Sequence, residues 1–118
     1  MTPEFCVSCT VLDAPLTARV QMLDGGVRAE IYGGTRPHIG AVSIAGPEGT
    51  VTTTEFPTHR DGAVSGRWAE AMAGAGLRPA VVLAGIHYDN LPPDGIRQVL
   101  AASDHLLKGV LARLAATP

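Results

Sequence analysis

Little in this sequence points to nucleic acid or to a membrane. The arginines are scattered, the net charge is -2 and the pI is near 6.0, so there is no basic stripe for a phosphate backbone or an anionic bilayer. No apolar run reaches the ~18 residues that a membrane helix needs. Met1-Thr2-Pro3-Glu4-Phe5 carries neither the basic segment nor the apolar core of a signal peptide. A cytoplasmic protein with no nucleic-acid or membrane partner is the expectation. Charge is sparse too: 17% of residues are charged against 46% hydrophobic, which excludes a disordered chain and suggests a compact domain with surface for a partner to cover.

Cysteine is equally scarce. Cys6 and Cys9 form one Cys-x-x-Cys, but a structural zinc site needs four ligands and a redox pair belongs at a strand-to-helix turn. These two lie inside an apparent strand, where residues three apart point to opposite faces. Two buried or half-buried thiols is the expected outcome. Nucleophile-elbow patterns are absent around Ser43 and Ser65, and no histidines stand at i, i+4 spacing.

What is present is a string of short strands followed by helices. Residues 5–12 and 16–23 are β-branched or apolar with small polar residues interleaved, broken at Asp13-Ala14-Pro15. Asp24-Gly25-Gly26 is the strongest hairpin signal, and residues 28–32 return as a third strand. A fourth strand is expected over residues 39–45 and a fifth over 50–56, so the first half reads as an antiparallel meander. At Pro57 the period changes. Val64, Trp68, Ala71, Met72 and Ala75 keep helical spacing, with Asp61 or Gly62 as the cap and an end near Gly74 and Gly76. Residues 79–85 form a very apolar sixth strand, and Asn90-Leu91-Pro92-Pro93 opens a last helix that runs through Ile96, Val99, Leu100, Leu106, Leu107, Val110, Leu111 and Leu114. The fold class is α+β: a two-layer sandwich of about six mainly antiparallel strands with two helices on one face, in a single domain over residues 1–118. The other face of so apolar a sheet calls for cover, and a second copy is expected to supply it as a homodimer.

Three runs carry chemistry to element boundaries. They are Arg36-Pro37-His38-Ile39-Gly40, Thr58-His59-Arg60-Asp61-Gly62 and His87-Tyr88-Asp89-Asn90, and between them they hold three of the four histidines. One shared pocket is the expectation. A helix N-terminus beside His59 and Arg60, followed by Ser65 and Arg67, suits a phosphate or carboxylate; the alternative is that Asp61 only caps the helix while Arg60 and Arg67 are solvated. Gly40, lacking a Cβ, could let a planar ligand lie against the backbone. Asp89 and Asn90 could instead be the N-cap of the last helix, and His105 reads as surface or core. A metal held by His38, His59 and His87, or a lyase or isomerase using His38 or His87 as general base, are the competing enzyme readings.

In order and spacing, Arg36-Pro37-His38-Ile39-Gly40-Ala41-Val42-Ser43, Thr58-His59-Arg60-Asp61 and Gly85-Ile86-His87-Tyr88-Asp89-Asn90-Leu91 resemble the small D-type accessory proteins of hydroxyarylic acid decarboxylase systems. These are the LpdD-like prenylated-flavin chaperones, whose domain is similar to proteasome assembly chaperones. The resemblance spans residues 28–111. It implies a protein that is not itself an enzyme, binding prenylated FMN, or FMN itself, and supporting delivery to or maturation in a UbiD-type decarboxylase apoenzyme, with a flavin prenyltransferase as a second partner. It implies Arg36, His38, Gly40, Thr58, His59, Arg60, Ser65, Arg67, His87, Asp89 and Asn90 as cofactor-binding positions. A protein-only assembly factor is the third reading. Cys6 and Cys9 match no motif of that family.

Overall fold

The structure, a computed structural model, describes residues 4–57 and 60–116. Its elements run β1 (Glu4–Val11), β2 (Ala14–Leu23), β3 (Gly26–Gly34), β4 (Ala41–Ala45), β5 (Val51–Glu55), α1 (Gly62–Gly74), β6 (Ala80–His87) and α2 (Gly95–Ala115). The second hairpin turns where expected, at Asp24 and Gly25, both with positive φ, the backbone that matches strand twist. The first turns at Leu12 and Asp13, also at positive φ, one residue earlier than its Asp-Ala-Pro signal. A leucine is an unusual occupant of that region, which is why composition did not mark it.

Only β1, β2 and β3 form the expected meander. The six-stranded sheet has the order β1-β2-β3-β6-β4-β5, so the predicted five-strand antiparallel run is split in the middle. β6 lies parallel to β3, with Val27 opposite Ala80 and Gly34 opposite His87, and antiparallel to β4. The reason is burial: Val81-Val82-Leu83-Ala84 is the most apolar strand, and the centre of the sheet removes most of it from water. A consequence follows for the chain between β3 and β4. Residues 35–40 must cross two strand spacings, ~9–10 Å, and they do so as an arch over the carboxyl end of β6. His38 N–H and Gly40 N–H reach the Gly85 and Ala84 carbonyls at 3.5 and 2.9 Å, so β4 starts at Ala41 and not at Ile39 as expected.

One face of the sheet carries Leu16, Ala18, Val20, Ala29, Ile31, Ala80 and Val82, all fully buried beneath Trp68, Met72, Leu107 and Val110 of the two helices. Small residues on the strands let the helices approach closely, and polar groups in the layer are paired. Trp68 Nε1 donates to Ser103 Oγ at 2.9 Å, and Ser43 Oγ meets Ser65 Oγ at 2.8 Å and Thr53 Oγ1 at 2.6 Å. α1 closes as a Schellman motif: Gly76 N–H bonds to the Ala73 carbonyl and Leu77 N–H to that of Met72. α2 begins at Gly95, whose N–H closes a turn onto the Pro92 carbonyl at 2.8 Å, later than the predicted start at Pro92.

β1 is an edge strand, and its residues alternate between exposed and half-buried. Cys9 is half-buried, and burial pushes its thiol up from its ordinary value. Cys6 is exposed, against expectation, because the sheet face it points to has no covering layer. No helix among the described residues is long and apolar enough to cross a membrane.

Trp68 joins both helices to the sheet, so Trp68→Ala should cost about 3–5 kcal/mol of unfolding free energy, read from urea denaturation. A loss under about 1 kcal/mol would contradict its place at the centre of the core.

Candidate functional site

The arch over β6 brings the first and third chemical runs together. Gly85 is fixed by this approach: a Cβ there would overlap the His38 carbonyl oxygen, so only glycine lets the arch lie against β6. Gly40 is filled in the same way, since a Cβ would overlap the Asp61 carboxylate. The space beside Gly40 is taken by the chain's own Asp61 and His38 and is not left open for a planar ligand.

Asp61 holds this region together. It stands at the N-cap position of α1, yet its side chain makes no capping bond. It is buried, at 7% exposure; Oδ1 accepts the Ile86 N–H at 3.0 Å and Oδ2 lies 3.0 Å from His38 Nε2. One carboxylate thus ties the start of α1, the end of β6 and the arch. His38 Nδ1 lies 3.0 Å from the Arg36 carbonyl oxygen. Both ring nitrogens of His38 are thus engaged by groups of the chain itself.

The anion site expected at the α1 N-terminus is occupied from within. Gly62 N–H donates to Glu55 Oε2 at 2.9 Å, and the Val64 and Ser65 N–H groups bond to the Asp61 carbonyl. Ser65 is fully buried on Ser43, and Arg67 pairs with Asp104 in an adjoining groove between α1 and α2 that shares Val64, Ile96 and Leu100 with the cleft described below. Neither reaches the cleft that holds His38. Thr58 and His59 lie outside the described residues.

At the other end of the arch, Asp89 gathers three donors. Oδ1 lies 2.9 Å from His87 Nε2 and 3.2 Å from Arg36 Nη2, and Oδ2 accepts from Thr35 Oγ1 at 3.1 Å. Thr35 returns the contact by accepting the Asp89 N–H at 3.1 Å. Asn90 is exposed at a φ of 55°. Neither Asp89 nor Asn90 caps α2, whose N-cap is Asp94.

Between these clusters and α2 lies a cleft of about 510 Å³. Its polar end is His38, Arg60, Asp61 and His87, and its apolar wall includes Val64, Ile86, Leu91, Ile96, Val99 and Leu100. Arg60 is exposed and makes no ion pair with a described residue. Leu91, Ile96 and Leu100 are 40%, 65% and 46% exposed, so the wall presents wet hydrocarbon. The sequence reading ran Ile96 and Leu100 in one helical spacing with the apolar residues that follow them. The buried stripe of α2 is instead Val99, Ser103, Leu106, Leu107, Val110 and Leu114, and the excess width of the apolar face was the available signal for the wall. Among the described residues no three His, Cys, Asp or Glu side chains gather as a metal would require.

The Asp89 carboxyl is held below the ordinary aspartate range, most strongly by His87 and then by Arg36 and Thr35. A carboxyl lowered on folding adds stability at pH above its unfolded value and loses that contribution as pH falls through its folded one. A carbon-detected NMR titration should therefore find the Asp89 midpoint below that of an ordinary aspartate, moving up in Arg36→Ala. An ordinary midpoint in the wild-type protein would contradict the cluster.

Residues 11–115 match the family described as the prenylated flavin chaperone LpdD-like domain. The fold is similar to that of a chain in a solved chaperone complex for yeast 20S proteasome assembly, at 15% identity over 95% of both chains and a TM-score of 0.54. No curated protein matches the chain. The family match covers the arch, the helix starts and the cleft together, and the chain belongs to the prenylated flavin chaperone LpdD-like family.

Proposed function

We propose that this chain is a non-catalytic accessory protein that binds prenylated FMN in the cleft between the arch and α2, and supports its delivery to or maturation in a UbiD-type decarboxylase apoenzyme. It acts as one domain over residues 1–118, as a homodimer in the cytoplasm, with a flavin prenyltransferase as the source of cargo. The observation that carries the reading is the two-sided character of the cleft, a polar end with an available arginine facing a wall of exposed apolar side chains.

That combination suits the cofactor. A fused, alkylated ring system would cover Leu91, Ile96 and Leu100, each Å² of apolar surface removed from water contributing ~25 cal/mol. Arg60 would meet the phosphate, with no help from the α1 N-terminus, since Glu55 already occupies it. His87, oriented by Asp89 through its Nε2, would hydrogen-bond a polar edge of the ring. Because the wall is exposed before binding, the ligand leaves as it enters, without a lid to open, which fits a carrier better than an enzyme that must exclude water. A histidine-dependent lyase would have to run on His87, since both His38 nitrogens are engaged.

Anaerobic titration of the ligand-free protein with reduced prenylated FMN tests the proposal. Binding should be saturable, and Arg60→Ala should weaken it by about 1.5–3 kcal/mol if the phosphate contact is charge-assisted. Equal affinity in that variant would remove Arg60 from the site, and no binding by the wild-type protein would remove the function.

A further inference from the structure

His87 is half-buried in the lining of the cleft, and the chain uses only one of its ring nitrogens. Nε2 lies 2.9 Å from Asp89 Oδ1. A carboxylate can only accept hydrogen bonds, so this contact places the proton of the neutral imidazole on Nε2 and leaves a lone pair on Nδ1. Asp89 is itself held in place, by Thr35 Oγ1 on Oδ2 at 3.1 Å and by Arg36 Nη2 on Oδ1 at 3.2 Å. The same donors keep its carboxyl below the ordinary aspartate range, and therefore ionised and unable to donate to the ring. Nδ1 makes no hydrogen bond with a described residue.

The other polar side chains of the cleft are committed or of the wrong polarity. Arg60 carries donors only. Each Asp61 oxygen already has a partner, the Ile86 N–H on Oδ1 and His38 Nε2 on Oδ2. Tyr88 donates its hydroxyl to the Ala14 carbonyl at 3.2 Å. His87 Nδ1 is thus the side-chain acceptor that a ligand can meet without displacing a bond of the chain. We infer that His87 is the specificity-determining residue of the cleft, its Nδ1 accepting from a ring N–H of the ligand, with Asp89 as the positioning residue that fixes the tautomer. The assignment rests on the reading of the cleft as the flavin site, and it names the edge of the ring that is read. The pyrimidine ring of a flavin carries an N–H between two carbonyls, and a fixed lone pair selects that group. A ring that turns an acceptor or an alkylated nitrogen to this point would leave Nδ1 unpaired, and a site built to hydrogen-bond a ligand N–H rejects an analogue that lacks it.

NMR of the full chain carrying isotope-labelled histidine tests this, at about pH 8.5, above the ordinary imidazole range. Long-range proton–nitrogen correlations show which ring nitrogen holds the proton. In the free wild-type protein, His87 should be protonated at Nε2 alone. Anaerobic addition of reduced prenylated FMN should move the Nδ1 resonance upfield, as a lone pair that takes up a hydrogen bond does. Asp89→Asn puts an amide able to donate to Nε2 in place of the carboxylate, so the proton should shift toward Nδ1 and the ligand should bind about three- to tenfold more weakly, the worth of one neutral hydrogen bond. His87→Phe should lose the same factor. A proton on Nδ1 in the free wild-type protein, or an Nδ1 resonance that stays put while the ligand binds, overturns the inference and leaves the cleft standing as the flavin site. So does unchanged affinity in both variants. A wild-type protein that binds no ligand overturns the cleft and the role of His87 together.

Discussion

The placement of β6 governs the rest of this molecule. Its apolar run has to lie in the middle of the sheet, and inserting it between β3 and β4 forces the connecting residues to climb over its carboxyl end. An arch is the result, and the site grows from the arch. Gly85 admits the His38 backbone, Gly40 admits Asp61, and the Asp61 carboxylate ties Ile86, His38 and the head of α1 into one piece. A buried carboxylate is tolerated only when its oxygens are bonded, and here each has a donor. The polar end of the cleft is thereby fixed by hydrogen bonds within the chain before any ligand arrives.

The apolar end is built on the opposite principle. α2 starts late, after the Leu91-Pro92-Pro93-Asp94 turn, and its first two turns carry Ile96 and Leu100 outside the stripe that packs on the sheet. Exposed hydrocarbon of that kind adds nothing to the stability of the free chain, and burying it favours binding. A preformed polar edge facing an exposed apolar wall allows a ligand with one charged end and one greasy end to be held without being enclosed. For a family of prenylated flavin chaperones, that is the property the carrier reading requires.

The two-layer class, the helices and the second hairpin were legible because each leaves a local signature: 3.6-residue spacing around Trp68 and Met72, an Asp-Gly turn, an apolar run at residues 80–84. Sheet order was not legible, since β6 pairs with β3 and β4 across long stretches of sequence and no local pattern encodes a neighbour. The same limit explains the site. His38, His87, Arg60 and Asp89 were marked by their positions at element boundaries, but Asp61 read as a helix cap because its real partners, Ile86 and His38, are 25 and 23 residues away. The α1 N-terminus read as an anion site because nothing local announces that Glu55 reaches Gly62. Ser65 and Arg67 share the run of Arg60 in sequence, yet helix geometry turns one into the core and the other toward Asp104.

The cargo is the central question for this protein, and co-expression reads it directly. The chain is produced in cells together with a flavin prenyltransferase, purified without air, and examined by UV-visible spectroscopy and native mass spectrometry. A flavin-like absorption band together with a mass increment equal to prenylated FMN is the predicted result. A colourless protein at the bare chain mass, or twice it, from cells shown to contain the cofactor would contradict the account.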